Sequence, residues 1–185
     1  MSLLRAEASS SLPVPNAVDA SLPDWLLSAE SDAPLLQSTG CCVQADADGF
    51  YTCEQSPVSW FALQVTPVFR ESIERAPSSV VVCVEDATVK VDDEAGSGSV
   101  SGFFRETAAA VQIRGRNVLS WHETASGWDL KGTLELTLTV PLPKGPGLRV
   151  IESVGTRIVR KTCETRLEPY LADLRTAYLA YARST

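Results

Sequence analysis

The C-terminal stretch 148–181 carries the most regular hydrophobic pattern in the chain. Its apolar residues recur at steps of three to five positions, which places them on one stripe of an α-helix. A stripe of this length needs a broad partner surface, and upstream the sequence offers a set of β-strands. We therefore predict one long amphipathic helix packed against a sheet. The predicted stripe contains Ile151, Val154, Ile158, Cys163, Leu167, Tyr170, Leu171, Leu174, Tyr178 and Tyr181.

Residues 128–140 alternate between apolar and polar side chains without a break. Such alternation predicts a half-buried antiparallel strand with one face toward a core and the other toward solvent. Gly132 lies in the apolar row, where a missing side chain is expected to enlarge any space beneath the sheet. The apolar row consists of Leu130, Gly132, Leu134, Leu136, Leu138 and Val140.

Shorter patterns account for much of the remaining chain. Residues 19–27 predict a short helix with Pro23 in its first turn, where a missing N–H is tolerated. Asp46-Ala47-Asp48-Gly49 predicts a turn. Runs of alternating, β-branched or aromatic residues then predict further strands at 50–55, 57–68, 80–91 and 111–121.

The order of these elements predicts a single α+β domain with short helices after its first strand. Strands with one apolar face and a helix with one apolar stripe pack as two layers. A curved antiparallel sheet that grips a C-terminal helix leaves a space between the layers, and a concave apolar cleft is the default ligand site. We assign 1–12 to a flexible N-terminal segment and 13–185 to the domain, beginning with an edge strand at 12–14.

The charge of the chain argues against nucleic acid as its main partner. Net charge is −7 and the pI is near 4.8, while basic residues concentrate in the predicted helix. Arg157, Arg160 and Lys161 form a candidate basic patch for an anionic head group or an acidic protein partner. The alternative is an ordinary solvated helix face. No apolar run reaches the roughly 18 residues of a membrane-spanning helix, so no transmembrane segment is expected.

Residues suited to metal binding are scarce. The five cysteines are odd in number and include the adjacent pair Cys41 and Cys42, but no C-x-x-C spacing occurs. This usage favours a reducing compartment over a disulfide framework. Because His122 is the one histidine, a zinc site would need almost only thiolate ligands. We expect neither a metal nor a cofactor.

Candidate acid–base residues are equally few. His122, at a strand end, is either a general base or an ordinary hydrogen-bonded histidine. Glu85 and Asp86 interrupt an apolar strand, and there they mark either a cleft carboxylate of raised pKa or a bulge at a solvated edge. The sequence therefore favours a non-catalytic protein.

Three segments resemble a known family. Residues 61–68 are similar to a strand that ends in an apolar-x-Val-Ser/Thr-Pro pattern, and 141–155 to a Pro-rich entry into an apolar-Glu-x-x-Gly helix start. Residues 171–178 resemble a closing Leu-x-x-Asp-Tyr segment, although Asp and Tyr are not adjacent here. The family is a poorly characterised group of plant, algal and cyanobacterial proteins within the START-like (SRPBCC) superfamily. The resemblance implies a helix-grip fold and a chloroplast or plastid stroma; it transfers no activity and no functional residues.

Our first functional hypothesis is a protein that binds a hydrophobic or amphipathic small molecule, such as a lipid, a pigment or an isoprenoid-like compound. The ligand is expected between the sheet and the helix. Apolar and aromatic side chains predicted to face that space would line the site. These residues are Trp60, Phe61, Leu63, Val82, Trp121, Leu134, Leu136, Ile158 and Leu167.

Two alternatives remain open at this point. One is a protein–protein or assembly factor of a photosynthetic or organellar complex, with a filled core and contacts through Arg157, Arg160, Lys161 and the acidic loop at 92–94. The other is a small enzyme of cyclase or lyase type. The space beneath the helix separates the three hypotheses. A large apolar void favours the ligand-binding protein, a filled core favours the assembly factor, and a void with a buried carboxylate or His122 favours the enzyme.

Overall fold

The computed structural model describes residues 2–37, 42–60, 63–91, 110–140 and 148–185. Within these ranges the chain forms eight strands, three α-helices and one 3-10 turn. The strands are β1 Ser2–Pro15, β2 Cys42–Ala45, β3 Tyr51–Glu54, β4 Val58–Trp60, β5 Leu63–Ala76, β6 Ser79–Val91, β7 Gln112–Thr124 and β8 Gly127–Val140. The helices are α1 Leu22–Leu27, α2 Asp32–Leu36 and α3 Leu148–Tyr181, and the 3-10 turn is Ala29–Ser31.

All described strand pairs are antiparallel and belong to one sheet. The order across it is β1-β8-β7-β6-β5-β3-β2, and β4 pairs with β5 beside this path. The sheet is curved, and the long C-terminal helix α3 packs against it. The predicted fold class, an α+β helix-grip arrangement with short helices after the first strand, is confirmed.

The first strand corrects the predicted domain boundary. Residues 2–12 were expected to be a flexible segment, but they form most of β1, which pairs with β8 from Ser2 to Pro15. Leu4, Ala6 and Ala8 face the core and are buried. Because alanine and serine dominate this stretch, its alternation is weak in sequence, and pairing with the strongly patterned β8 decides its structure.

The helix α3 lies over β1 and β8, at one side of the sheet. The C-terminal part of its predicted stripe is confirmed, since Cys163, Leu167, Leu171, Leu174 and Tyr178 are buried. Val159 is also buried and was not in the predicted stripe. The side chains of Ile151, Val154 and Ile158 lie outside the described part of the chain.

Two glycines set the distance between α3 and the sheet. A Cβ atom on Gly155 would lie 2.8 Å from Cδ1 of Leu4, so a larger residue there would displace the Leu4 side chain. A Cβ atom on Gly132 would lie 3.0 Å from Cδ1 of Leu167 and 3.1 Å from Cδ2 of Leu171. The prediction that Gly132 enlarges a space was therefore wrong: the room left by its missing side chain is filled by leucines of the helix.

The short helices are tied to the sheet by Arg75. Its guanidinium donates to the carbonyl oxygens of Leu26 at 3.2 Å and Ser28 at 2.9 Å, and it forms an ion pair with Asp32. The Tyr51 hydroxyl donates to the other carboxylate oxygen of Asp32 at 2.5 Å. These bonds satisfy carbonyl groups at the end of α1 and hold α2 above β3 and β5.

The pair Glu85-Asp86 marks a bulge. Arg70 pairs with Asp86 and Glu71 pairs with Val84, so Glu85 is an extra residue in β6. Both acidic side chains are exposed, and Glu85 accepts a hydrogen bond from the Ser72 hydroxyl at 3.0 Å. The bulge interpretation is confirmed, and the interpretation as a carboxylate facing a cleft is wrong.

Candidate functional site

A cavity of about 340 Å³ lies between the sheet and the helices. Strands β5 to β8 supply its floor, and α2 and α3 supply its walls. Most of its described lining is apolar, as expected for a ligand cleft. The apolar residues are Leu35, Leu36, Pro67, Phe69, Val82, Val84, Ile113, Leu134, Leu136, Cys163 and Leu167; the others are Gln55, Ser56, Glu71, Gly115, Arg116, Asn117, Thr162, Arg166 and Tyr170.

The structure brings four of the predicted pocket residues to this cavity: Val82, Leu134, Leu136 and Leu167. They come from β6, β8 and α3, and each belongs to a sheet row or helix stripe identified by periodicity. The side chains of Trp60, Phe61, Leu63 and Ile158 lie outside the described part of the chain.

Trp121 does not line the cavity. It shares the inner face of β7 with Ile113, Gly115 and Asn117, but it lies beyond Leu119, which is fully buried. Trp121 packs against the filled part of the core instead. Alternation along β7 correctly predicted the face on which Trp121 lies. Alternation does not indicate how far along that face the cavity extends.

Gly115 provides part of the open floor. A Cβ atom there would lie 3.2 Å from Cγ2 of Val84 and 3.5 Å from Cδ1 of Leu136, and all three residues border the cavity. Gly115 on β7 therefore lies in the cavity wall, where an added side chain would press on Val84 and Leu136, whereas Gly132 on β8 lies where leucines of α3 contact the sheet.

Glu71 places a carboxyl group in this apolar wall. Glu71 is 8% exposed and lies between Phe69 and Ile73 in the row of β5 side chains that faces the core. Burial raises the pKa of Glu71 above its ordinary value, because a charged carboxylate loses its water; a hydrogen bond with Cys53 acts in the opposite direction. Among the described residues, no Lys or Arg forms an ion pair with Glu71.

Tyr170 and Asn117 join Glu71 in a polar cluster. The Tyr170 hydroxyl donates to the carbonyl oxygen of Leu35 at 2.9 Å. Burial and the nearby charge of Glu71 raise the pKa of Tyr170, and a hydrogen bond with the Asn117 side chain opposes this. Among the described residues, Oδ1 of Asn117 is buried without a hydrogen-bond partner. Strand β5, strand β7 and helix α3 thus bring three polar side chains together in an otherwise apolar space.

Sequence reasoning missed this polar cluster, although a signal was present. Glu71 lies on β5 in the same inner row as Phe69 and Ile73. Asn117 lies on β7 in the same inner row as Leu119. A polar side chain that alternates in step with the apolar residues of a strand is buried on the same face as they are. The same pattern pointed to Glu85 and Asp86 as candidates for a buried carboxylate, but both side chains are exposed at the bulge.

His122 lies away from the cavity. Its side chain is 67% exposed, and its Nε2 atom is 3.7 Å from Oδ2 of Asp129 on the neighbouring strand. The residue lies near the end of β7, as the sequence predicted, and does not line the cavity. The predicted strand-end position is confirmed, and the ordinary hydrogen bonds expected for this histidine stay a prediction.

The predicted basic patch is a surface feature of α3. Arg157, Arg160 and Lys161 are all exposed, and Arg157 and Arg160 border a shallow groove with Leu3, Ser153 and Thr156. Leu3 is 52% exposed, one of the few large apolar side chains on the described surface. Of the helices in the described residues, none is both long and apolar enough to cross a membrane.

Solved structures similar to the chain were found at low sequence identity. A conserved protein from Geobacillus kaustophilus is 9% identical, with a TM-score of 0.53 and 96% of each chain covered. The Zhui aromatase/cyclase from Streptomyces is 10% identical, with a TM-score of 0.41 over 98% of this chain and 94% of that one. A START superfamily protein from Mycobacterium smegmatis is 10% identical, with a TM-score of 0.40 over 96% and 98%.

The similarity to the Geobacillus protein shows a common fold and nothing further, because the identity is so low. No protein-family model matches the chain, and no curated protein sequence matches it. The resemblance to the plant, algal and cyanobacterial family therefore stays a prediction. The fold and site together define a class: a helix-grip domain with an apolar cavity that contains a buried carboxyl group.

Proposed function

We propose that this protein binds a hydrophobic or amphipathic small molecule in the cavity between its sheet and α3. The observation that carries this proposal is the cavity of about 340 Å³ with its mostly apolar lining. The space is partly open, so its apolar side chains face solvent, and an apolar ligand would cover them. A plastid-type compartment is part of the proposal and rests on the sequence resemblance alone.

The size of the cavity limits the ligand. Its volume of about 340 Å³ lies at the lower end of the roughly 300–1,000 Å³ typical of small-molecule sites. Roughly ten to fifteen non-hydrogen atoms fill such a space. Burying about 200 Å² of apolar ligand surface contributes roughly 5 kcal/mol before the costs of association. The cavity thus suits a short chain or one or two rings, and a larger lipid would place only one end inside.

Blocking the cavity tests the proposal. Leu136→Trp puts a large side chain into the cavity, whereas Thr137→Trp puts the same side chain on the opposite face of β8. We expect apolar fluorescent probes to bind the parent and Thr137→Trp proteins and to bind Leu136→Trp at least about tenfold more weakly, a difference of about 1.4 kcal/mol. Circular dichroism and thermal unfolding confirm that both variants fold. Equal probe binding by all three proteins would place the ligand site elsewhere.

The assembly-factor alternative is weakened by the same cavity. That alternative assumed a completely filled interior, and the described core is not filled. Contacts with a protein partner through Arg157, Arg160 and Lys161 stay a prediction, since these side chains are exposed. The acidic loop at 92–94 lies outside the described residues.

The cavity also contains a buried carboxyl group, Glu71, which is the feature expected of the enzyme alternative, and this supports a second candidate function. A buried carboxyl group with a raised pKa in a cavity is a candidate acid or base for a small enzyme of cyclase or lyase type. The Tyr170 hydroxyl already donates its hydrogen to the carbonyl oxygen of Leu35. Glu71 would therefore have to serve as the acid without help from Tyr170. Chemical conversion of a bound ligand by the parent protein, abolished in Glu71→Gln with binding retained, would establish this function over simple binding.

A further inference from the structure

We propose that Glu71 recognises the polar end of the ligand as an uncharged carboxylic acid, so that the cavity selects apolar molecules that carry a neutral oxygen acceptor such as a ketone or ester carbonyl. This inference rests on the proposed binding function and specifies the chemical class of its ligand. The buried carboxyl group would donate its proton to the carbonyl oxygen while the apolar lining holds the rest of the molecule.

The hydrogen bonds of the polar cluster single out Glu71 as the donor. The one hydroxyl hydrogen of Tyr170 is directed to the carbonyl oxygen of Leu35 at 2.9 Å. The side chain of Asn117 is engaged with Tyr170. A protonated Glu71 in the cavity wall offers a donor that the bond from Tyr170 to Leu35 does not use. A ligand carbonyl would compete for it with Oδ1 of Asn117, which is buried without a partner among the described residues.

The surroundings of Glu71 disfavour its charged form. Strand β3 presents the thiol of Cys53, strand β7 presents Asn117, and α3 presents the hydroxyl of Tyr170. Helix α2 contributes only Leu35 and Leu36 to this space. None of these groups is a cation, so a carboxylate here would lose its water without gaining a partner charge.

The two arginines that border the cavity do not change this balance. Arg116 of β7 and Arg166 of α3 are both exposed to solvent. Neither forms an ion pair with Glu71 in the described part of the chain. The pKa of Glu71 is raised by burial, which is consistent with a carboxyl group that neither arginine neutralises.

A cationic ligand is the competing explanation, and pH separates the two. A neutral carbonyl accepts from protonated Glu71, so its binding weakens as pH rises through the pKa of that group. An amine needs the ionised carboxylate, so its binding strengthens over the same range.

Three naphthalene derivatives of matched size, substituted at the same ring carbon with acetyl, isopropyl or aminoethyl, provide the test. Their dissociation constants would be measured by fluorescence from acidic to mildly basic pH. We expect the acetyl compound to bind roughly threefold to tenfold more tightly than the isopropyl compound at the acid end, the ratio that one neutral hydrogen bond provides. This ratio should fall toward one as pH rises.

Two variants assign the effect to Glu71. In Glu71→Gln the amide N–H group remains a donor at every pH, so the preference for the acetyl compound should persist and lose its pH dependence. In Glu71→Leu the preference should disappear while the isopropyl compound still binds. Glu74→Gln, an exposed position of the same strand, should behave like the parent protein.

Each remaining outcome overturns the inference. Equal binding of the acetyl and isopropyl compounds to the parent protein would show that Glu71 does not contact the ligand, and the proposed binding function would stand. Tightest binding of the aminoethyl compound, increasing with pH, would identify a cation site instead. Binding of none of the three would contradict the proposed function and this inference together.

Discussion

The two halves of the space beneath α3 use the same sheet and the same helix, yet only one is closely packed. In the filled half, Val80, Leu119, Leu130, Leu171 and Tyr178 are buried almost completely, and α1 adds Trp25 against Tyr178 at a ring distance of 5.7 Å. In the hollow half, the same strands continue past the 340 Å³ cavity. The hollow half consists of the cavity-lining side chains of β5 to β8 with Cys163, Leu167 and Tyr170 of α3.

Side-chain volume and the placement of the short helices explain the difference. The inner row of β7 is Leu119 and Trp121 in the filled half, but Gly115 and Asn117 in the hollow half. Helix α1 supplies Trp25 and Leu26 to the filled core, whereas α2 contributes two leucines to a cavity wall. Identical secondary structure therefore gives a tight core or a binding space according to the residues in a few positions.

The largest expected effect compares two leucines on the same face of β8. Leu130→Ala in the filled half is expected to lower the free energy of unfolding by about 3–5 kcal/mol, because a fully buried side chain leaves a new void. Leu134→Ala in the hollow half should cost only about 1–2 kcal/mol, because Leu134 already borders empty space. Urea unfolding of both variants measures this difference. Equal losses would mean that the hollow half is packed in solution.

A smaller effect compares two glycines. Gly132→Ala forces Leu167 and Leu171 away from a Cβ atom at 3.0 and 3.1 Å and should cost about 1–3 kcal/mol. Gly115→Ala meets Val84 at 3.2 Å, but Val84 borders the cavity and has room to move, so its effect should stay within about 1 kcal/mol of zero. Thermal unfolding distinguishes them, and a larger loss for Gly115→Ala would contradict the assignment of the two glycines.

The smallest effect concerns the buried carboxyl group of the hollow half. Because the pKa of Glu71 is raised from 4.5, the folded protein holds this proton more tightly than the unfolded chain. Its contribution to stability is present below the unfolded pKa and is lost as pH rises through the folded value. Glu71→Gln should therefore gain in melting temperature relative to the parent protein as pH rises above 4.5.

The exposed Glu74→Gln variant is the matched control for that titration. It should follow the parent protein at each pH, since no burial penalty is removed. A melting temperature of Glu71→Gln that runs parallel to the parent across the whole range would show that Glu71 is solvated. The polar cluster would then not contain a desolvated carboxyl group. Side-chain volume alone would distinguish the two halves.

Much of the fold could be read from periodicity. The row Leu130, Leu134 and Leu136 and the helical residues Leu167 and Leu171 all point to the interior as predicted. The N-terminal strand was underestimated because Ala6 and Ala8 give little hydrophobic contrast beside serine. Of the predicted pocket residues, four line the cavity, whereas Trp121 packs against the core outside it.

By itself the sequence determined the two layers and the direction in which each regular side chain faces, because these depend only on local alternation and helical spacing. Only the tertiary structure decided that a cavity exists and that Glu71, Asn117 and Tyr170 meet in it. A cavity is the difference between the spacing of the layers and the volume of the side chains between them. That spacing follows from long-range contacts, such as Gly155 against Leu4 and Gly132 against Leu167, which no local pattern encodes.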